Sequence, residues 1–172
     1  MRPLILCLLL SAVASAEPQP WPKAAGIEAK FSVTPPGKLP RGLTFDQVTF
    51  EDQEPHPISV CWLDLNRDGT PELLIDTHEG GTGGTYRHIF ARTRTGFRRI
   101  ARWQGGIEVL GPANGYYQIE SWSSGGGGQF SRALLRFERG KYRCVRLERW
   151  RTKPGDDQPS FSEELDPKLH DS

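Results

Sequence analysis

Apolar residues along this chain come in short β-favouring runs and not in helical stripes. Val60 with Trp62, Leu74 with Ile75, Ile89 with Phe90, Phe97 with Ile100, Phe130 with Leu134 and Leu135, and Val145 with Leu147 mark such runs. Clusters of Gly, Pro, Asn or Asp separate them, which is the punctuation of strands joined by turns. No window long enough for a surface helix carries apolar residues at a 3.6-residue period, so the pattern predicts an all-β fold.

Laid on itself at an offset of 44, the chain repeats. Ile75-Asp76-Thr77 falls on Ile119-Glu120-Ser121, Gly83-Gly84 on Gly127-Gly128, Tyr86 on Phe130, Phe90 on Leu134 and Arg92 on Arg136. Each unit therefore predicts strand, glycine-rich connection, strand, tight turn, strand: two related β-meanders of the length of a propeller blade. Two such units cannot close a propeller, so a small β-sheet domain is expected.

The ends differ from this middle. Residues 1–16 hold Arg2, the apolar run Leu4 to Leu10 and Ala14-Ser15-Ala16, the pattern of a signal peptide cleaved after Ala16, which predicts export to the periplasm or beyond. Residues 17–40 are Pro-rich, and Ile27 to Val33 is a candidate edge strand within them. Residues 41–151 form the expected β domain, and residues 152–172 an acidic tail with too little apolar surface to order itself. No segment reaches the length of a membrane span. In an oxidising compartment Cys61 and Cys144 predict one disulfide, with two buried thiols as the alternative.

Charge is uneven although its sum is +1. Residues 41–151 carry sixteen basic side chains, fifteen of them Arg, against thirteen acidic ones; residues 152–172 carry two Lys against six acids. An anionic cell-envelope polymer is a candidate partner on that ground, with a protein partner as the other and nucleic acid not expected. Many of the arginines alternate with apolar residues, as on the wet faces of strands.

Between two apolar runs lies Asp64-Leu65-Asn66-Arg67-Asp68-Gly69-Thr70-Pro71-Glu72. Oxygen-bearing side chains at every second position, a glycine after the third and a carboxylate at the ninth suit a hard cation with six to eight oxygen ligands, so Ca²⁺ is the expected cofactor. Ile75 stands where an EF-hand needs its twelfth-position acid, which rules that loop out. At the repeat offset Glu108, Leu110, Pro112 and Tyr116 oppose Asp64, Asn66, Asp68 and Glu72, so one metal site is expected and not two.

The run Asp64-x-Asn66-x-Asp68-Gly69-x-Pro71-Glu72-Leu73 resembles the calcium loop of the FG-GAP and VCBS-type repeats of integrin-like propellers, and the single such loop of many exported bacterial proteins. The resemblance covers residues 59–93. It implies ligation by the side chains of Asp64, Asn66, Asp68 and Glu72 and by the carbonyl of Thr70. The FG-GAP signature itself does not precede the loop, and Glu72 stands where family loops more often carry Asp.

Other polar clusters carry less. Asp76, His78 and Glu79 could provide an acid and a base for hydrolysis of an envelope polymer, but spacing names no nucleophile. The runs Gly80 to Gly84 and Gly125 to Gly128 lack the Lys-Ser/Thr of a phosphate loop and are expected as hairpin connections. Trp122 beside the second run is the candidate exposed platform among the tryptophans. The chain thus reads as a calcium-binding binding or structural module with no catalytic residues assigned; an enzyme on an envelope polymer, or an inhibitor or immunity-type protein docking through its glycine-rich loops, are the alternatives.

Overall fold

The computed structural model describes residues 20–48, 57–152 and the backbone of 161–165. The expected signal segment and most of the expected tail lie outside the described residues. The fold is all-β, with two antiparallel sheets. The first holds β1 (Ser32–Thr34), β2 (Ile58–Leu63), β3 (Glu72–Gly81), β4 (Gly84–Thr93) and β5 (Gly96–Gln104), side by side in chain order. The second holds β6 (Glu108–Ala113), β7 (Tyr116–Gly126), β8 (Gln129–Glu138), β9 (Lys141–Arg151) and β10 (Phe161–Leu165), also in chain order. Strand β10 lies inside the stretch expected to be an unstructured tail. One 3₁₀ turn, Phe45–Gln47, is the single helical element among the described residues, and none is long and apolar enough to cross a membrane.

Strand alternation explains the layers. On β2 and β3, Cys61 and Leu74 face inward, and from the other sheet Val109, Ile119, Ala133, Leu135 and Leu147 meet them in one core between the sheets. The opposite face of the first sheet is not left wet. Ile58, Leu73, Ile75 and Phe90 are covered by Leu39, Leu43 and Val48, which is why Leu73, Leu74 and Ile75 are buried in succession. The Pro-rich segment runs along the edge of β6, where Ala25 donates to the Val109 carbonyl at 2.8 Å and Gly111 to that of Lys23 at 2.9 Å. It then reaches β1 at the edge of the other sheet, so it ties both sheets together. Hairpins that close with left-handed pairs, Asn114-Gly115 and Arg139-Gly140, match the right-handed strand twist.

These positions refine the reading of the repeat in two ways and correct the expected disulfide. Ile75 packs on the outer face of its sheet whereas Ile119 packs between the sheets. A 44-residue offset therefore aligns strands but not faces, because irregular pairing between Asp76 and Gly80 changes the register. Residues 64–71 connect β2 to β3, while residues 114–115 alone connect β6 to β7. Glu108, Leu110 and Pro112 lie in or beside strand pairing, so the second unit has no loop where the first carries its acidic one. Finally, Cys61 and Cys144 are free, buried thiols on separate sheets, where they serve as small apolar side chains of the shared core and not as a disulfide.

Candidate functional site

The acidic loop is wound on its own side chains. Asp64 accepts from the amides of Asp68 (3.2 Å) and Gly69 (2.9 Å), Asn66 from Asp68 (2.9 Å), and Asp68 from Thr70 (2.7 Å). Arg67 and Gly69 take left-handed φ values of 60° and 84°, the turn that Gly69 permits without strain. Glu72, at the start of β3, is 4% exposed and accepts from the Leu65 amide at 2.9 Å. Burial raises its pKa above the ordinary carboxylate range, and the charges of Asp68 and Asp64 push the same way.

This loop also joins the sheets. Leu65 is fully buried in the core between them, and its carbonyl accepts from the Tyr117 amide at 2.7 Å. Asn66 donates to the Tyr116 hydroxyl at 3.2 Å, and the Arg67 guanidinium lies 5.8 Å from the Tyr117 ring centroid. Among the described residues no Lys, Arg or His pairs with Asp64, Asp68 or Glu72. Nor do three His, Cys, Asp or Glu side chains among those residues gather as a metal-holding group. The donor types, carboxylate, amide and carbonyl oxygen, are those a hard cation takes; the oxygens are turned toward the loop's own amides.

Asp76 and His78 do come together, with a partner that spacing did not name. Ser59 on β2 pairs with Asp76 on β3, and its Oγ lies 2.8 Å from His78 Nε2. His78 has a φ of 57° within the irregular stretch of β3. The turned backbone lets its amide donate to Asp76 Oδ1 at 2.9 Å while Nδ1 stands 4.0 Å from the same oxygen. Asp76 Oδ2 is held by Arg87 at 2.8 Å. The Glu79 amide donates to Thr77 Oγ1 at 3.3 Å. Ser59 was beyond sequence reasoning because its link to His78 spans 19 residues and depends on strand register.

His88 on β4 is another residue that no motif marked. It is 2% exposed, neither ring nitrogen has a hydrogen-bond partner among the described residues, and its ring lies 6.0 Å from that of Phe90. Burial, with the charges of Arg99 and Arg102, pushes its pKa from 6.5 down to about 3. Trp122 is exposed, as expected, with Phe130 exposed beside it, but it is not alone among the tryptophans, since Trp62 on β2 is exposed as well. Compared with known protein families, curated proteins and solved structures, the chain matches none of them.

Proposed function

We propose that this protein is a calcium-stabilised β module that binds a partner outside the cytoplasm and carries out no turnover of its own. The observation that supports the calcium reading is the winding of the loop, in which oxygens of Asp64, Asn66 and Asp68 are turned onto the amides of residues 68 to 70, with no basic side chain paired to Asp64, Asp68 or Glu72 among the described residues. Asp64, Asn66, Asp68 and Glu72 would supply side-chain oxygens and Thr70 its carbonyl. A divalent cation there would offset the negative charge that Asp68 and Asp64 bring to bear on Glu72. Because the same loop carries Leu65 into the core and binds Tyr117, order gained in the loop is order gained at the junction of the sheets. Terbium titration followed by thermal melts with and without EDTA tests this: no metal signal and an unchanged melt refute it.

The contact between Ser59 Oγ and His78 Nε2 favours a second reading, hydrolysis of an envelope polymer with Ser59 as nucleophile and His78 as base. Asp76 is poorly placed as the third member, since it lies 4.0 Å from Nδ1 and is engaged by Arg87. Ser59 itself is only 5% exposed. A fluorophosphonate probe decides between the readings: labelling that disappears in Ser59→Ala supports hydrolysis, and no labelling removes it.

A further inference from the structure

The outer face of the second sheet carries an aromatic corner. Ile119, Ala133 and Leu147 turn to the core between the sheets, so their strand neighbours turn away from it. Register fixes which side chains those are: Trp122 pairs with Arg132, Ser124 with Phe130, Phe130 with Trp150 and Arg132 with Glu148. Paired residues share a face, as do residues two apart on a strand, so Trp122, Phe130, Trp150, Arg132, Ser124 and Glu120 all project from the outer side. Phe130 stands directly opposite Trp150 and diagonal to Trp122, with Arg132 in the angle between them. These six residues line one cavity of about 460 Å³, whose wall is completed by Thr82 and by the glycines of the nearby connections.

Trp122 is held as a flat platform. A Cβ on Gly106 would stand 2.0 Å from its Cε2 and 2.4 Å from each ring neighbour, Cζ2 and Nε1. Those distances put it over the face of the indole and not at its edge, so the backbone of Gly106 supports the ring, and the Gly106 amide donates to the Trp122 carbonyl at 2.6 Å. Trp122 nevertheless stays 47% exposed, with Phe130 40% exposed beside it. Arg132 is fixed as well: its Nε donates to Glu148 at 2.7 Å, and its guanidinium lies 4.0 Å from the Trp21 ring centroid and 5.6 Å from that of Trp150. Groups already held in place lose little freedom when a ligand arrives.

We propose that this cavity binds an uncharged oligosaccharide, with pyranose faces on Trp122 and Phe130 and hydroxyl groups at Arg132, Glu120 and Ser124. Charge selects the ligand. Among the described residues Arg132 and Glu120 are the charged groups of the wall, and they are of opposite sign, so an anion meets Glu120 and a cation meets Arg132. Flat rings interleaved with fixed donors and acceptors suit a sugar, whose C–H face is apolar and whose rim is hydroxylated. The volume is that of a small-ligand site. The proposal rests on the binding-module reading but not on calcium.

Cellohexaose, chitohexaose and maltohexaose are titrated into the full chain, each with calcium and with EDTA, and followed by tryptophan fluorescence and calorimetry, with a hyaluronan hexasaccharide as the charged comparison. At least one uncharged sugar should bind about tenfold or more tightly than hyaluronan, and added salt should leave its binding unchanged. Trp122→Ala and Phe130→Ala should each weaken it about tenfold while melting as the parent does; Gly106→Ala, which displaces the indole, serves if an aromatic variant unfolds. Arg149→Gln, paired with Ser131 and so on the opposite face, should bind as the parent does. No binding of any uncharged hexasaccharide, tighter binding of hyaluronan, or binding undiminished in both aromatic variants overturns the proposal. So does dimerisation in sedimentation that Trp122→Ala abolishes while no sugar binds. Sugar binding with a melt that EDTA leaves unmoved supports this site and refutes the calcium reading alone. A calcium-dependent melt without sugar binding refutes this inference alone. Cleavage of the bound sugar that Ser59→Ala stops supports this site and refutes the absence of turnover.

Discussion

The amide of Tyr117 donates to the carbonyl of Leu65 at 2.7 Å, so an acidic loop that belongs to the first sheet is bonded to a strand of the second. That bond is what gives the loop reach beyond its own hairpin. Residues 64–71 carry one fully buried side chain, Leu65, into the core between the sheets, and Glu72 holds the Leu65 amide at 2.9 Å.

Calcium removal should therefore lower the stability of the whole domain and not of one hairpin. At free calcium one hundred times Kd the ion adds about 2.7 kcal/mol, and each kcal/mol moves the midpoint by roughly 2–4 °C. EDTA should lower the melting temperature by several degrees, and Asp68→Ala should melt at that lower value with or without calcium. Differential scanning calorimetry on both proteins measures it.

Leu65→Ala should destabilise more than any polar change in the loop. Removing a fully buried leucine costs about 2–5 kcal/mol, whereas Arg67→Ala gives up one cation–π contact worth about 0.5–1 kcal/mol. Urea unfolding of the two variants compares them, and equal midpoints would show that the loop is not anchored through Leu65.

The acid limb of the stability profile should depend on His88. Its folded pKa of about 3 lies below its ordinary 6.5, so beneath pH 6.5 the unfolded chain takes up a proton that the folded chain refuses. The stability due to the buried neutral ring is present above pH 6.5 and falls as the pH drops toward 3, with a slope approaching 1.4 kcal/mol per pH unit. His88→Phe should flatten that slope. Denaturant melts between pH 7 and pH 4, run on parent and variant, give the comparison.

Free thiols at Cys61 and Cys144 make the fold indifferent to reductant. A thiol reagent should modify both only after denaturation, because burial shields them and raises the Cys61 pKa. A bond between them would instead contribute up to about 4 kcal/mol, and dithiothreitol would then lower the midpoint. Alkylation followed by mass spectrometry, in buffer and in denaturant, distinguishes the two.

Much of this protein is legible in its residues taken a few at a time. Alternation at Val60 and Trp62, the glycine run with Gly83-Gly84, and the spacing of Asp64, Asn66 and Asp68 each involve neighbours whose relations the backbone period sets. They therefore announced strands, hairpins and a wound acidic loop correctly. The repeat announced two meanders for the same reason, but it could not tell that Ile75 and Ile119 face opposite ways, since an irregular stretch of β3 separates Ile75 from the glycine-rich hairpin on which the repeat is aligned.

What neighbours could not reveal depends on packing across long separations. Asn66 meets Tyr116 fifty residues away, and Ser59 meets His78 because β2 pairs with β3 in one register and no other. Cys61 and Cys144 share a core without bonding because each sheet presents its own side chain to it. Local chemistry wrote the strands and the loop; the burial of one apolar face against another chose which of their side chains meet.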